Sequence, residues 1–407
     1  MENALRPASE AALREVVAWA LAESTPLEVV GRGTKRGLGR PGQYAHRLET
    51  AALTGILLYE PEELVLEAKA GTPLATIEDA VAARGQMLAF EPADWGRLDG
   101  AAAGSATIGG VFACNLSGPR RPTAGAARDH LLGLAAISGR AEAFKAGGRV
   151  VKNVTGYDLC KLLTGSHGTL AVLTSVTLKV LPAPETSATL ALEGLDDAAA
   201  IALLAEIAGA AIDGSGFAYL PAALGGTWQP PGLAPGVGAA LIRLEGTRAS
   251  VAERAKRLAA TIGARAPLRS LDRDRSLALW RGIRDAEPVV AAAPDTALWR
   301  LSLPPARGAA VVAAIAAERP IEYFYDWAGG LVWLQTSAAA DGGAATIRAA
   351  LADAGGHATL FRAPNPLRGA VTVFEPQAPA LARLTRRVKD SFDPRAVLNP
   401  GRMYAGV

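Results

Sequence analysis

Only two cysteines and four histidines stand among the 407 residues of this chain. Two thiols, Cys114 and Cys160, cannot build a disulfide framework or the four-thiolate cage of an iron–sulfur cluster. Their apolar neighbours read them as small core residues. The histidines, His46, His130, His167 and His357, are far apart, which argues against a metal centre of two histidines and a carboxylate. Aromatic residues make up 5% of the chain and 42 basic residues face 39 acidic ones, a formal charge of +3. Without a basic run interleaved with aromatics, a nucleic-acid groove is excluded. No stretch approaches the ~18 uncharged apolar residues of a membrane span. After Glu2, Arg6 and Pro7 comes an amphipathic helix rather than the apolar core of a secretory leader, so the expected compartment is the cytoplasm. No Ser/His/Asp or Cys/His arrangement stands out.

Glycine is what the chain has in quantity, 44 residues of it. Gly31-Arg32-Gly33-Thr34-Lys35 follows the apolar run Leu27–Val30. About seventy residues on comes Gly104-Ser105-Ala106-Thr107-Ile108-Gly109-Gly110, then Asn115-Leu116-Ser117-Gly118-Pro119. Glycine admits positive φ and close approach, so neighbouring N–H groups can converge on an anion. Two such loops, the first flanked by Arg32, Lys35 and Arg36, suit a dinucleotide with a pyrophosphate in its middle. The Rossmann fingerprint fails, however. It requires G-x-G-x-x-G opening a helix, and here the third glycine of G-R-G-T-K-R-G is one place late, followed by the loop Leu38-Gly39-Arg40-Pro41-Gly42. A nucleotide site on a different fold is expected.

Ser9 caps a helix with Leu13, Val16, Val17, Ala20 and Leu21 at helical spacing. Strands are expected at 27–30, 56–59, 64–70, 131–138, 141–145 and 170–181, with a helix opened by Thr72-Pro73 and closed by Gly85. Leu181-Pro182-Ala183-Pro184-Glu185 marks a domain boundary. Beyond it, strands at 188–192, 239–244, 297–303 and 331–336 each precede a helix, at 196–208, 250–262, 308–317 and 344–354. A strand at 357–361 closes the set. This alternation predicts an α+β layer, its sheet antiparallel and covered on one face. The tracts 230–238 and 263–296 read as loops. A strand at 370–374 and a helix at 378–391 precede the tail.

The chain resembles the FAD-binding superfamily of vanillyl-alcohol oxidase and p-cresol methylhydroxylase, and within it the smaller flavin subunit of bacterial glycolate oxidases. The matching residues are Arg32–Lys35, Gly71-Thr72-Pro73-Leu74, Gln86-Met87-Leu88-Ala89-Phe90-Glu91-Pro92, Thr107–Gly110, Val151-Lys152-Asn153-Val154-Thr155-Gly156-Tyr157-Asp158, Gly165-Ser166-His167-Gly168-Thr169-Leu170, and Phe392-Asp393-Pro394 through Leu398-Asn399-Pro400-Gly401-Arg402-Met403-Tyr404. The resemblance implies an α+β protein with a two-subdomain FAD-binding domain over 1–182 (about 1–54 and 55–182). A cap domain with an antiparallel sheet would follow at 183–375, and a C-terminal segment, 376–407, would return to the FAD domain. By the same resemblance Gly31, Arg32, Gly33, Thr34 and Lys35 wrap the pyrophosphate. Ser105, Thr107, Gly109, Gly110, Asn115, Ser117 and Gly118 line the flavin and ribityl region, and Pro92 is a further cofactor-binding residue. Gly168 leads into main-chain contacts from Ala171 and Val172, and Asn399 reaches the flavin edge. Some members tether FAD to a histidine in the first loop; Thr34-Lys35 stands here, so noncovalent FAD is expected. His167 occupies a place where glutamate is common, and its role stays open.

Oxidising a 2-hydroxy acid needs a hydride acceptor, a proton acceptor and a cation for the carboxylate. Arg281 and Arg284, beside Trp280, are the candidate carboxylate binders, although solvated or salt-bridged arginines fit the same pattern, with Asp272, Asp274 and Asp285 nearby. Tyr157 with Asp158 and Lys161 is a second polar group, and no catalytic residue or metal ligand is assigned. The resemblance implies as partners a larger FAD-linked glycolate oxidase subunit and an iron–sulfur subunit, with any membrane contact peripheral and through them. Three readings follow: an FAD subunit of a glycolate oxidase complex passing electrons to a partner, a self-sufficient FAD-linked 2-hydroxy-acid dehydrogenase, and a structural FAD-binding assembly subunit.

Overall fold

The structure, a computed structural model, describes residues 4–99, 104–150, 156–224, 228–290 and 295–407. Residues 151–155 of the motif ending at Asp158 lie outside these. The chain divides into two compact units. One holds residues up to Ser117, Gly125–Ala183 and Pro376–Val407; the other holds Gly118–Ala124 and Pro184–Glu375.

In the first unit, β1 (Ala4–Leu5), β2 (Leu27–Val30) and β3 (His46–Glu49) form a parallel sheet in the order β1-β3-β2. The helix Glu10–Glu23 covers it. Ser9 accepts a hydrogen bond from the Ala12 N–H at 3.1 Å, and Leu13, Val17 and Ala20 are buried against Leu27, Leu48 and Leu53. The C-terminal tail adds to the same core. Leu27 donates to the Val397 carbonyl, Asn399 donates to the Leu27 carbonyl, and Leu398 runs parallel to Leu27.

The second sheet of this unit is antiparallel, in the order β4-β5-β9-β7-β8, with β4 (Ile56–Glu60), β5 (Val65–Lys69), β7 (Leu131–Ser138), β8 (Ala143–Gly147) and β9 (Ala171–Lys179). The short strands β6 (Gln86–Met87) and β10 (Leu181–Pro182) pair beside it. The helices Leu74–Ala82 and Ile108–Cys114 lead from the glycine segments.

The second unit is one eight-stranded antiparallel sheet. Its strands are β11 (Thr186–Glu193), β12 (Gly216–Leu220), β13 (Ala239–Gly246), β14 (Leu268–Leu271), β15 (Thr296–Ser302), β16 (Glu322–Asp326), β17 (Leu331–Ser337) and β18 (His357–Arg362). Their order is β14-β11-β13-β12-β16-β17-β15-β18. The helices Asp197–Ala208, Arg248–Ile262, Gly308–Glu318 and Ala344–Ala352 pack on one face. They bury Ile201, Leu204, Leu258, Ile315 and Ile347 against Trp299, Leu301, Tyr325, Val332 and Leu334.

Three expectations need correction. The tract 263–296 is not a loop: it contains β14 and the helix Arg273–Arg284, whose N-cap Asp272 accepts from the Arg275 N–H at 2.9 Å. Trp280 on that helix donates to Thr189 of β11 at 2.9 Å, and Ser276 bonds both Ser187 and Thr189. These partners lie on the face away from the four helices, so the sheet carries helix on both faces. No strand forms over 370–374 either. Pro366 occupies the first turn of a helix, Asn365–Ala370, where its missing N–H costs nothing, and beyond it the Val373 carbonyl accepts from the Leu360 N–H of β18.

Candidate functional site

A cleft of about 690 Å³, open solvent at its mouth included, lies in the first unit. It is lined by residues 29–36, Thr50, Ala70, Thr107, Gly109, Gly110, Ala113, Cys114, Leu163, residues 166–168, residues 171–173 and Arg402. The two glycine segments meet there. A Cβ on Gly31 would sit 2.2 Å from the Thr107 Oγ1, so the loop after β2 presses directly on the residue that opens the helix Ile108–Cys114. A Cβ on Gly110 would lie 3.9 Å from the Lys35 Nζ, which brings the ammonium against the second segment.

The donors come from the first loop. Among the described residues, the N–H groups of Gly31, Arg32, Gly33 and Thr34 make no hydrogen bond within the protein. Gly33 has φ +78°, a conformation that glycine adopts without strain. Four successive main-chain donors with no internal acceptor are what an oxyanion requires. The second segment differs. Its Gly109 N–H bonds the Ala70 carbonyl at 2.8 Å and the Gly110 N–H faces the Thr107 hydroxyl at 3.4 Å. Its role is close approach: a Cβ on Gly109 would fall 2.8 Å from the Ala70 carbonyl oxygen.

Charge in the cleft is one-sided, since among the described residues no carboxylate belongs to its lining. Arg36 is already engaged, forming a two-point ion pair with Glu28 at 2.7 and 2.9 Å that Arg47 joins. Burial pushes the Glu28 carboxyl up, but hydrogen bonds from Arg36 and Arg47 outweigh it and the group lies below its usual value. Arg402 was not foreseen from the sequence. It is buried, donates from Nη2 to the Lys35 carbonyl at 2.7 Å, and keeps a buried Nε without a partner. The signal was present as the arginine three residues past Asn399 in the tail motif. Arg32, Lys35 and Arg402 thus fit a pyrophosphate, and the unpartnered Nε of Arg402 is the atom such a group would satisfy.

At the far wall, β9 pairs with β5 only over 175–179, so the edge of Ala171, Val172 and Leu173 facing away from β7 carries no strand. His167 lines the cleft with φ +54°. Burial, then the Arg402 charge, pushes its imidazole down to about 3. It is a neutral wall residue. Cys114 also lines the cleft and its thiol is pushed up by burial, while burial raises Cys160 to about 11, so neither is a thiolate at neutral pH.

Of the residues expected to contact a cofactor, Gly31, Arg32, Gly33, Thr34, Lys35, Thr107, Gly109, Gly110, Gly168, Ala171 and Val172 line the cleft. Pro92, Ser105, Asn115, Ser117, Gly118 and Asn399 do not. Four of these have their polar atoms engaged elsewhere. Asn115 accepts from Arg128 N–H at 3.2 Å, Ser117 from Ala127 N–H at 2.9 Å, and the Gly118 carbonyl from Trp327 Nε1 at 3.1 Å. Asn399 is fully buried: its Oδ1 accepts from Val29 N–H at 2.7 Å, and its Nδ2 donates to the Val29 and His167 carbonyls. It ties β2 to the 167–168 turn. Arg284 forms a two-point pair with Asp285 at 2.9 and 2.8 Å, and Arg281 is exposed on the same helix.

The His167 shift gives a pH dependence. The unfolded imidazole takes a proton near its ordinary value of 6.5, which the folded one refuses until about 3. Stability from this group is therefore full above 6.5 and is lost as pH falls toward 3. Asparagine tolerates the left-handed backbone and does not titrate. We expect His167→Asn to lose less thermal stability than the wild type between about pH 6.5 and pH 4.5; parallel melting curves would contradict it.

A family described as FAD binding domain matches residues 2–147. The chain is 37% identical over 405 residues to the glycolate oxidase subunit GlcE of Escherichia coli (strain K12), covering 97% of each. It is 32% identical over 136 residues to the glycolate oxidase subunit GlcD of Bacillus subtilis (strain 168), covering 33% of this chain and 29% of that one. Among solved structures, p-cresol methylhydroxylase with substrate bound shares the fold, with a TM-score of 0.73 at 12% identity, over 99% of this chain and 88% of that one. Among the described residues no helix is long and apolar enough to cross a membrane.

Proposed function

Since this chain belongs to the family of FAD-binding glycolate oxidase subunits of the GlcE type, we propose that it holds FAD in the cleft of its first unit and serves as a flavin subunit of a glycolate oxidase. In that complex it would work with a larger FAD-linked subunit of the GlcD type and an iron–sulfur subunit. The carrying observation is the set of unengaged N–H groups of Gly31–Thr34, residues that line a cleft together with Lys35, Arg402 and, among the described residues, no carboxylate.

In this reading the first loop and the three cations hold the pyrophosphate. Thr107, Gly109 and Gly110 let the cofactor approach the backbone, and the free edge of 171–173 supplies main-chain contacts. FAD, when bound, supplies the acceptor for the hydride that leaves the hydroxyl-bearing carbon as glycolate becomes glyoxylate. With only two cysteines on the chain, electrons leave for a partner. The first loop has no histidine, so the cofactor is noncovalent.

The test is co-expression of the chain with its GlcD-type and iron–sulfur partners. The purified chain is expected to show flavin absorbance, with the flavin released into solution by acid precipitation. Glycolate-dependent dye reduction by the complex is expected to depend on it. A chain without flavin, or a complex equally active when it is omitted, would refute the reading.

A further inference from the structure

A second concentration of cations lies on the eight-stranded sheet of the other unit. Along β15, Trp299 and Leu301 point into the helix-covered core, so Arg300 points to the opposite face. Cross-strand register puts Trp333 of β17 and Thr359 of β18 beside it, with Ser302 and His357 the next pair along. The Arg300 guanidinium lies 5.0 Å from the ring centre of Trp327 and 5.9 Å from that of Trp333. Arg121 approaches the Trp327 ring as well, at 4.5 Å.

The scaffold around these groups is held from several sides. Trp327 Nε1 donates to the Gly118 carbonyl, its N–H donates to Asp326 Oδ1 at 2.7 Å, and Phe361 packs edge-on to Trp333 at 4.9 Å. Trp327 and Ala328 both take left-handed backbone conformations, with φ +53° and +55°, a strained pair that the surrounding bonds maintain.

The Arg300 side chain makes no hydrogen bond or ion pair with any described residue, and its Nε is buried without a partner. Aromatic faces attract a guanidinium but leave its in-plane N–H donors unanswered. Burial, then the like charge of Arg121, pushes Arg300 down to about 10, and the Asp326 carboxylate opposes this. The cation persists at neutral pH, short of an acceptor. His357 lies below its ordinary value through burial and the fields of Arg300 and Arg121, with Glu375 opposing them.

We propose that Arg300, held between Trp327 and Trp333 with Arg121 and His357 nearby, is the carboxylate-binding cation of a small-anion site whose ligand is a short 2-hydroxy acid or the 2-oxo acid formed from it. A planar guanidinium edge matches a carboxylate at two points, and tryptophan walls favour a small planar anion over a bulky one. This rests on the glycolate oxidase reading for the identity of the acid, while the anion site stands on the geometry of Arg300 alone.

The experiment is calorimetric titration of the FAD-loaded full-length chain with oxalate, a planar analogue of both acids, and with inorganic phosphate as a tetrahedral comparison. Arg300→Gln is expected to bind oxalate about 10- to 100-fold more weakly than wild type, with unchanged flavin content. Arg300→Lys, which keeps the charge and loses the fork, should fall between them and guards against a misfolded Gln variant. In the complex, the KM for glycolate should rise in the same order. Failure of wild type to bind oxalate, equal binding by Arg300→Gln, or phosphate binding as tight as oxalate would each overturn the proposal. These titrations need no turnover, so an inactive wild-type complex would count against the glycolate oxidase reading without deciding the role of Arg300.

Discussion

Replacing Asp393 by alanine is expected to destabilise the first unit by about 3–5 kcal/mol, because it strips the counter-charge from a buried ammonium. Lys389 is the one buried residue of the helix Pro379–Phe392, and its Nζ donates to Asp393 Oδ2 at 2.7 Å and to the carbonyls of Thr169 and Leu398. Burial pulls the Lys389 pKa down, and the Asp393 carboxylate pulls it back. The carboxylate also accepts from the Val397 and Leu398 N–H groups, at 2.9 and 2.8 Å, so its loss would orphan two main-chain donors too. A Cβ at Gly139 would lie 2.3 Å from Asp393, so the room for the carboxylate is made by a glycine on another segment. The double variant Lys389→Met/Asp393→Leu, with no charge left to bury, should recover much of the loss. Chemical unfolding of all three proteins checks this. A single-variant loss below about 1 kcal/mol, the range of an exposed pair, would contradict it. Flavin retention should fall as well, since Leu398 is followed by Asn399, and Arg402 lies three residues further on.

That pair illustrates which parts of the molecule could be read from the sequence and which could not. The loop at 31–35 was legible because its information is local: a strand, then glycines that free N–H donors, then a lysine. So was the helix Glu10–Glu23, whose cap and apolar spacing sit within one window. Arg402 and Lys389 act across hundreds of residues, on the Lys35 and Thr169 carbonyls, and no periodicity encodes such pairings. Asn115, Ser117 and Asn399 show the converse. Each is a short polar residue at a turn, compatible with touching a ligand or with bonding the backbone, and the side-chain oxygen of each accepts from a backbone N–H that is distant in sequence or set by the fold. The helix Arg273–Arg284 was obscured for another reason. Its charged exposed face dominates the composition, while Ser276, Leu279, Trp280 and Ile283 form a narrow buried stripe. Arg300 lies within an apolar strand and is conspicuous only once the register sets it beside Trp333.

Gly31→Ala should all but remove FAD from the chain. The added Cβ would stand 2.2 Å from Thr107 Oγ1, far inside van der Waals contact, and Thr107 cannot move freely. Its carbonyl accepts from the Val111 N–H and its hydroxyl faces the Gly110 N–H, so it holds the first turn of the helix Ile108–Cys114. Relief requires either displacing that turn or pushing the 31–34 loop outward, and both open the cleft. Overpacking of this severity belongs at the upper end of its usual range, about 3 kcal/mol, which is about 100-fold in FAD affinity. Thr107→Ala alone removes a helix cap worth about 1 kcal/mol and should weaken FAD binding only modestly. Combined with Gly31→Ala, it removes the obstructing oxygen, and the double variant should bind FAD more tightly than Gly31→Ala alone. Such non-additivity is expected only of residues in direct contact. Fluorescence titration of the apoprotein with FAD measures all four affinities. Additive losses would mean that the two glycine segments do not act on one cofactor through this contact, whereas rescue ties the loop after β2 to the helix Ile108–Cys114 as the two sides of a single binding cleft.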